Sequence, residues 1–339
     1  MTVDKKICAL VLAAGLGTRM KSSRAKVLHE VLFKPMILHV LDTIKALKLN
    51  QTYVVVGHQR EKVADLVSGY QATCVIQEEQ LGTGHAVLCA EKELSSSDTV
   101  LILSGDVPLI KADSLRKMLA AHAENRASLT LMTATLDDPT NYGRIVRDHR
   151  GKLLEIAEEK DATYEQRKIQ EINAGIYCAE VPFLFKALKK VGTDNKQGEI
   201  YLTDIVKIAI DEGHDVNIFS GAGGKEVLGI NSRGELAEAN KYLQMKYNKQ
   251  LMADGVSLID PETIFIEQGV KIGKDSSIQA NVQISGSTVI GSNCTIGPDV
   301  VLHDCQIGDS VVIGPFSNLK SYTVQDNETV APHTNLVND

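Results

Sequence analysis

Tryptophan is absent from the 339-residue sequence, and aromatic residues together make up 4% of it. Little stacking surface is therefore available for single-stranded nucleic acid. No Lys/Arg-rich run exists either: 36 basic residues stand against 43 acidic ones, a formal net charge of −7, so a polyanionic partner meets no basic stripe. The six cysteines (Cys8, Cys74, Cys89, Cys178, Cys294 and Cys305) include no C-x-x-C pair. Scattered thiols of this kind suit a reducing compartment better than disulfides or zinc. Long apolar runs are missing as well. The segment ICALVLAA that follows MTVDKK is shorter than a membrane span and lacks the cleavage signal of a secretory leader. The expectation is a cytoplasmic protein with neither nucleic acid nor membrane as partner. Anionic small molecules remain open, because a phosphate site needs only a few cations and backbone N–H groups.

What is present changes character along the chain. So many residues exceed one ordinary core, and two domains are expected. Up to residue 231, short apolar runs (ICALVLA, TYVVVG, ATCVIQ, TVLILSG, SLTLMTA) alternate with amphipathic stretches such as Pro35–Leu47 and Ser114–Glu124. That alternation predicts an α/β domain, Rossmann-like, on a mainly parallel mixed sheet buried on both faces. Residues 232–254 contain no proline and place Leu236, Ala239, Leu243, Tyr247 and Leu251 at three-to-four-residue spacing, which predicts a connecting helix.

Residues 255–339 switch to a period of six. Ile266, Ile272, Ile278, Ile284, Ile290, Ile296 and Leu302 keep strict register, and the ladder resumes at Ile307 and again at Val324, each time one residue early. A second small or apolar series (Ile264, Val270, Val282, Thr288, Val300) sits two residues ahead of the first. Such hexads predict a left-handed parallel β-helix of roughly four coils, each aliphatic stacked on those above and below.

The chemistry-bearing candidate is LVLAAGLGTRM, residues 10–20, a buried strand running into a glycine turn. A dinucleotide fingerprint would need glycine at position 20, which is Met20, and no Walker Gly-Lys-Ser/Thr follows. What remains is a turn where Gly15 and Gly17 let backbone N–H groups approach a phosphate. Arg19 can hold that phosphate bidentately, and Lys26 supplies a point charge. On its own a two-glycine strand turn is more often an ordinary tight turn. Asp106, in SGDVP after TVLILSG, stands at the C-terminal edge of a predicted parallel strand, where α/β sheets bind ligands.

Taken in order, LAAGLGTRM with KVLH (26–29), QEEQLGTGH (77–85), SGDVP (104–108), YGR (142–144), EINAG (171–175), GEIYLTD (198–204) and the hexad tail resemble the sugar-nucleotide pyrophosphorylases. Within them the likeness is to the bacterial N-acetylglucosamine-1-phosphate uridylyltransferases, across about residues 7 to 320. The resemblance implies a nucleotidyltransferase domain, UTP and a sugar 1-phosphate as substrates, a Mg²⁺ cofactor held by Asp106 and Asn231, and a homotrimer formed through the β-helix. It further implies nucleotide binding by Leu12, Ala13, Ala14, Gly15, Gly17, Gln77, Gln80, Gly82, Thr83, Ser104 and Gly105. Sugar binding falls to Gly143, Glu158 and Asn173, with Tyr201 and Thr203 as wall residues, and catalysis to Arg19, Lys26 and Asp106. Two departures stand out. Ala25 takes a place where relatives commonly carry proline, which is expected to loosen Lys26. The motifs of the acetyltransferase half of bifunctional relatives are lacking, so no acetyltransferase activity is expected. A pyrophosphorylase for another sugar or nucleoside triphosphate, and a non-catalytic trimeric scaffold, remain the alternatives.

Overall fold

The computed structural model describes residues 5–338; the first four residues of the MTVDKK start and Asp339 lie outside it. The chain divides into two compact units. One holds the chain up to His29 and resumes over Pro35–Ser232, and the other takes Glu30–Lys34 with Arg233–Asp339.

In the first unit, β1 (Ile7–Ala13), β2 (Gln51–Val56), β3 (Thr73–Ile76), β4 (Thr99–Ser104) and β5 (Leu129–Thr135) arise from the five apolar runs. The β6–β7 hairpin (Arg144–Arg147, Leu153–Ala157), the ten-residue β8 (Glu171–Glu180) and β9 (Val216–Phe219) complete a nine-stranded sheet in the order β9-β5-β8-β4-β1-β2-β3, with β6 pairing β8 and β7. Parallel pairing joins β3, β2, β1 and β4, whereas β8 runs antiparallel between β4 and β5. The sheet is mixed, as expected. Strands β1 and β4 are buried along nearly their whole length because apolar layers cover both faces. Helix α1 (Met36–Lys45) turns Ile37, Val40, Leu41 and Ile44 into one of these layers.

The second unit is the β-helix and its leading helix. Strands of two or three residues stack in parallel into three faces, exemplified by Ile278↔Ile296↔Ile313, Ile284↔Leu302↔Leu319 and Ile290↔Ile307↔Val324. The predicted inward aliphatics are buried, apart from half-buried Ile272 and, in the last coil, Val330 and Leu336, and so is the second series, Ile264, Val270, Val282, Thr288 and Val300. Several corners take positive φ at Asp275, Asn281, Asn293, Asp299, Asp304 and Asn327, the side chains that best tolerate that region. At Gly273 the next coil passes so close that a Cβ would stand 2.5 Å from backbone, so only glycine fits.

The helix Arg233–Ala253 (α2) differs from its sequence pattern. It buries Ala239 and Leu251, but also Gln244 and Asn248, while Leu243 and Tyr247 are only half-buried. The cause is the first coil, whose carbonyls would otherwise be buried without donors. Gln244 Nε2 donates to the oxygens of Glu262 and Ile264 at 2.9 Å, and Asn248 Nδ2 to those of Pro261 and Ile264 at 2.8 and 2.9 Å. Satisfying buried backbone acceptors outweighs an apolar stripe here. Asn240 Oδ1 likewise accepts from Leu32 N at 2.7 Å, fastening the 30–34 segment into this unit.

Candidate functional site

Strand β1 ends at Ala13 and opens into the glycine loop, while β4, its direct neighbour, ends at Ser104 in register with Leu12. The two C-terminal edges thereby bring the loop and Asp106 together at the crevice where parallel sheets receive ligands. A cleft of about 720 Å³ lies there. Its walls include Leu12, Ala13, Ala14, Gly15, Gly17, Arg19, Lys26, Gln77, Gln80, Gly82, Thr83, Ser104, Asp106, Glu158 and Tyr201 from the expected set. Gly105, Gly143, Asn173, Thr203 and Asn231 of that set are not among the residues lining it.

At the foot of the loop four side chains converge. Lys26 Nζ pairs with Asp106 Oδ2 and donates to Asn231 Oδ1 at 2.9 Å, and Arg19 Nη2 donates to the same Asn231 oxygen at 2.8 Å. Backbone bonds bring Asn231 there: Ile230 N donates to Asp106 O at 2.9 Å and Gly229 N to Tyr142 Oη at 3.1 Å. Asn231 Nδ2 donates to Gly229 O at 3.0 Å, which turns its oxygen toward the cations. Burial works to push the Asp106 carboxyl up, but the Lys26 ammonium and the Ser104 hydroxyl outweigh it and hold the group ionised below the usual carboxylate range. Gly17, at φ +60°, is required because a Cβ would stand 2.6 Å from Lys26 Cβ.

One small cation, the Lys26 ammonium, thus already bridges a carboxylate and an amide oxygen. Two hard oxygens beside a glycine loop fit magnesium, which takes one or two protein ligands and completes its shell with phosphate and water. Among the described residues no group of three or more His, Cys, Asp or Glu forms a metal cage, and a magnesium site of this kind needs none.

On the opposite wall Gln77 is only 3% exposed. Its Nε2 lies 3.2 Å from Gly82 O and 3.0 Å from His85 Nδ1. The carbonyl fixes the amide orientation, so Gln77 presents its oxygen, an acceptor, rather than the donor–acceptor pair its residue type allows. Gly82, at φ +107°, passes 2.5 Å from Ile200 O by the position of a would-be Cβ, which closes this wall.

The third group gathers at an irregularity in β8. The register with β5 shifts between Asn173 and Tyr177, and Gly175 takes φ +69°; bulges of this kind re-aim side chains beside sites. Asn173 N donates to Gly143 O at 2.8 Å, and its amide is bonded within its own strand, to Gly175 N and Tyr177 Oη. A Cβ on Gly143 would lie 3.7 Å from both Asn173 Cβ and Glu158 Oε1, so the three form one patch. Glu158 also accepts from Thr203 Oγ1 at 2.9 Å. Burial, reinforced by Asp204, Asp161 and Glu199, raises the Glu158 carboxyl above its usual range, with only the Thr203 hydroxyl opposing. A raised folded-state pKa means that the stability tied to the neutral carboxyl is complete below about pH 4.3, its unfolded value, and is lost as pH rises through the folded one. Glu158→Gln, neutral throughout, should therefore melt higher than the parent at pH 7.5 and equal to it below about pH 4. Thermal unfolding followed by circular dichroism at both pH values checks this; a lower melting temperature at pH 7.5 contradicts it.

Sequence reasoning missed Asn141, Glu159, Lys160, Gln197 and Glu199, which also line the cleft. One signal was available. Arg144 in YGR is 2% exposed and pairs with Glu159 at 2.8 Å, and Glu159 Oε2 accepts from Asn141 N at 3.2 Å. A motif arginine that is buried needs a carboxylate, and AEEKDA offers three, Glu158, Glu159 and Asp161.

Residues 9–172 match the model of the MobA-like NTP transferase domain family. Residues 269–304 and 287–321 match that of the bacterial transferase hexapeptide (six repeats). The chain is 45% identical to the bifunctional protein GlmU of Desulfotalea psychrophila over 97% of this chain and 98% of that relative. It is 46% identical to the GlmU of Geotalea uraniireducens over 97% of this chain and 73% of the other. To a Listeria monocytogenes GlmU it is 43% identical, over 92% and 72% respectively. These likenesses over nearly the whole chain, with a nucleotidyltransferase domain followed by hexapeptide repeats, place the chain as an enzyme in the family of the bifunctional protein GlmU.

Proposed function

We propose that the enzyme makes UDP-N-acetylglucosamine and pyrophosphate from UTP and N-acetylglucosamine 1-phosphate, with Mg²⁺ as cofactor. The observation that carries this reading is the convergence of Arg19, Lys26, Asp106 and Asn231, from three remote stretches of chain, at the foot of the glycine loop. The backbone around Gly15 and Gly17 binds the triphosphate, and Gln77 offers its amide oxygen to the uracil N3–H. The patch of Gly143, Glu158 and Asn173 faces the sugar. A phosphate oxygen of the sugar 1-phosphate attacks the α-phosphorus of UTP in line; a new P–O bond forms as the bond to the β-phosphate breaks, and pyrophosphate leaves with the electron pair. The nucleophile is already an anion, so no strong base is needed. Arg19 and Lys26 position the triphosphate and neutralise the charge gathering on the leaving group. Bound between Asp106 and Asn231, Mg²⁺ would act as a Lewis acid on the phosphates.

Pyrophosphate release across a panel of nucleoside triphosphates and sugar 1-phosphates, with Asp106→Ala as blank, tests the assignment. UTP with N-acetylglucosamine 1-phosphate should exceed every other pair in kcat/KM by at least about tenfold. A different pair turning over faster overturns the specificity, and silence with all pairs despite UTP binding points to the scaffold alternative.

The assembly proposed is a homotrimer through the β-helix. Supporting it, each of the three faces turns an aliphatic outward: Val312, Val301 and Val289 are among the exposed apolar residues. Light scattering at micromolar concentration should give three times the chain mass; a monomer mass would remove the proposal.

A further inference from the structure

Lys26 sits on a short 3₁₀ turn, Lys26–Leu28, after an irregular stretch that begins at Lys21 in left-handed backbone. Buried Val27 and Leu28 hold the far side of this turn. The near side, Ser22–Ala25, has no strand or helix to fix it. What holds it comes from the β2 end of the sheet. Gln59 Oε1 accepts from Ala25 N at 3.0 Å, and Gln59 Nε2 donates to Ser23 O at 3.0 Å. His58 Nε2 reaches the same Ser23 oxygen at 3.2 Å. One amide thus spans two backbone groups immediately ahead of the lysine, as a strand partner would.

Gln59 is held there against its own backbone preference. Its φ of +54° and ψ of 39° lie in the left-handed region, which glycine occupies freely and a side-chain-bearing residue only at a cost. A glycine would relieve the strain and continue into the following helix, Arg60–Val67, unchanged. Nothing in the turn itself calls for glutamine; its side-chain bonds do.

Resting on the reading of Lys26 as the triphosphate-binding lysine, we infer that Gln59 is a positioning residue. Its amide tethers the Ser23–Ala25 backbone and so sets where the Lys26 ammonium stands relative to Asp106 and Asn231. The tether replaces the stiffness that proline would give at position 25, where Ala25 has φ −55° and ψ 138°, a conformation proline adopts. A proline there has no N–H for Gln59, and its Cδ points at the space the amide fills. Proline and glutamine are therefore alternatives that exclude each other.

The test is a cycle of Gln59→Gly, Ala25→Pro and the double variant, read by turnover, thermal melting and amide hydrogen exchange. Gln59→Gly should lower kcat about tenfold through misplacement of the lysine, while melting at or above the parent temperature. Exchange should rise in residues 21–28 and stay level elsewhere. Ala25→Pro alone should also lose activity, whereas the double variant should recover at least half the parent kcat and its low exchange, a reversal that independent effects cannot give. A Gln59→Gly enzyme with kcat within twofold of the parent and unchanged exchange at 21–28 overturns the inference, as does a double variant no better than the worse single one. Should the parent turn over no substrate pair, the functional reading fails by itself, and the exchange pattern across the same four proteins still decides on the tether.

Discussion

Asp106→Ala should lower kcat by about three orders of magnitude while the protein remains folded, the scale expected when a group that stabilises transition-state charge is lost. The reason is local. Asp106 stands at the edge of the cleft, just beyond β4, rather than among the aliphatics beneath it. Its carboxylate is kept ionised by Lys26 and Ser104, and that charge stands at the foot of the glycine loop, paired with Lys26. Alanine removes one of the two oxygens proposed to ligate the cation and leaves Lys26 with Asn231 alone. Asp106→Asn keeps the shape and isolates the charge: it should be nearly as slow and should melt close to the parent. Steady-state pyrophosphate release and thermal melting on the same preparations provide both readings. Activity of Asp106→Ala within tenfold of the parent would remove Asp106 from the chemistry.

In the β-helix, Leu302→Ala should cost about 2–5 kcal/mol, the range for emptying a fully buried leucine site. Leu302 is 0% exposed and stacks between Ile284 and Leu319 on one face. In a solenoid each coil rests on its two neighbours, so a cavity in the middle weakens both interfaces. Val301, one residue earlier, points outward at 37% exposure, so that, apart from any contact it makes in the proposed trimer, Val301→Ala should stay within about 0.5 kcal/mol. Urea unfolding followed by circular dichroism separates the two. Equal costs at 301 and 302 would mean that the hexad ladder does not carry the stability assigned to it.

The parts of this molecule that can be read from sequence are those where one physical demand dominates. Hexads betray themselves because every coil repeats the same inward position. Strands β1 and β4 do so because burial on both faces leaves only aliphatics. Strand β8 was hidden: Asn173, Ala174 and Gly175 interrupt it, and these are the residues that form the irregularity beside Gly143 and Glu158. Gln244 and Asn248 were hidden for another reason. Their burial answers backbone carbonyls some 13 to 20 residues away in sequence, which no helical periodicity encodes. Within the site, the loop glycines, Arg19, Lys26 and Asp106 stand at strand edges that the sequence marks, where only the family resemblance favours a ligand site over ordinary turns. Asn231 does not, because only the folded chain, through Ile230 and Gly229, carries it back to Asp106. Gln59 was not legible in the sequence: a glutamine in GHQRE looks like any exposed turn residue until its two bonds to the lysine loop are seen. Those bonds also answer the loosening expected at Ala25, whose N–H is what Gln59 grips.

The proposed centre is a divalent cation shared by Asp106 and Asn231 over the triphosphate, and crystals grown with UTP and Mn²⁺ in place of Mg²⁺ address it most directly. The anomalous signal of manganese should appear between the Asp106 carboxylate and the Asn231 amide oxygen, with the Lys26 ammonium moved off both and onto phosphate. Manganese bound to nucleotide while those two side chains keep their bonds to Lys26 and Arg19 would contradict the account.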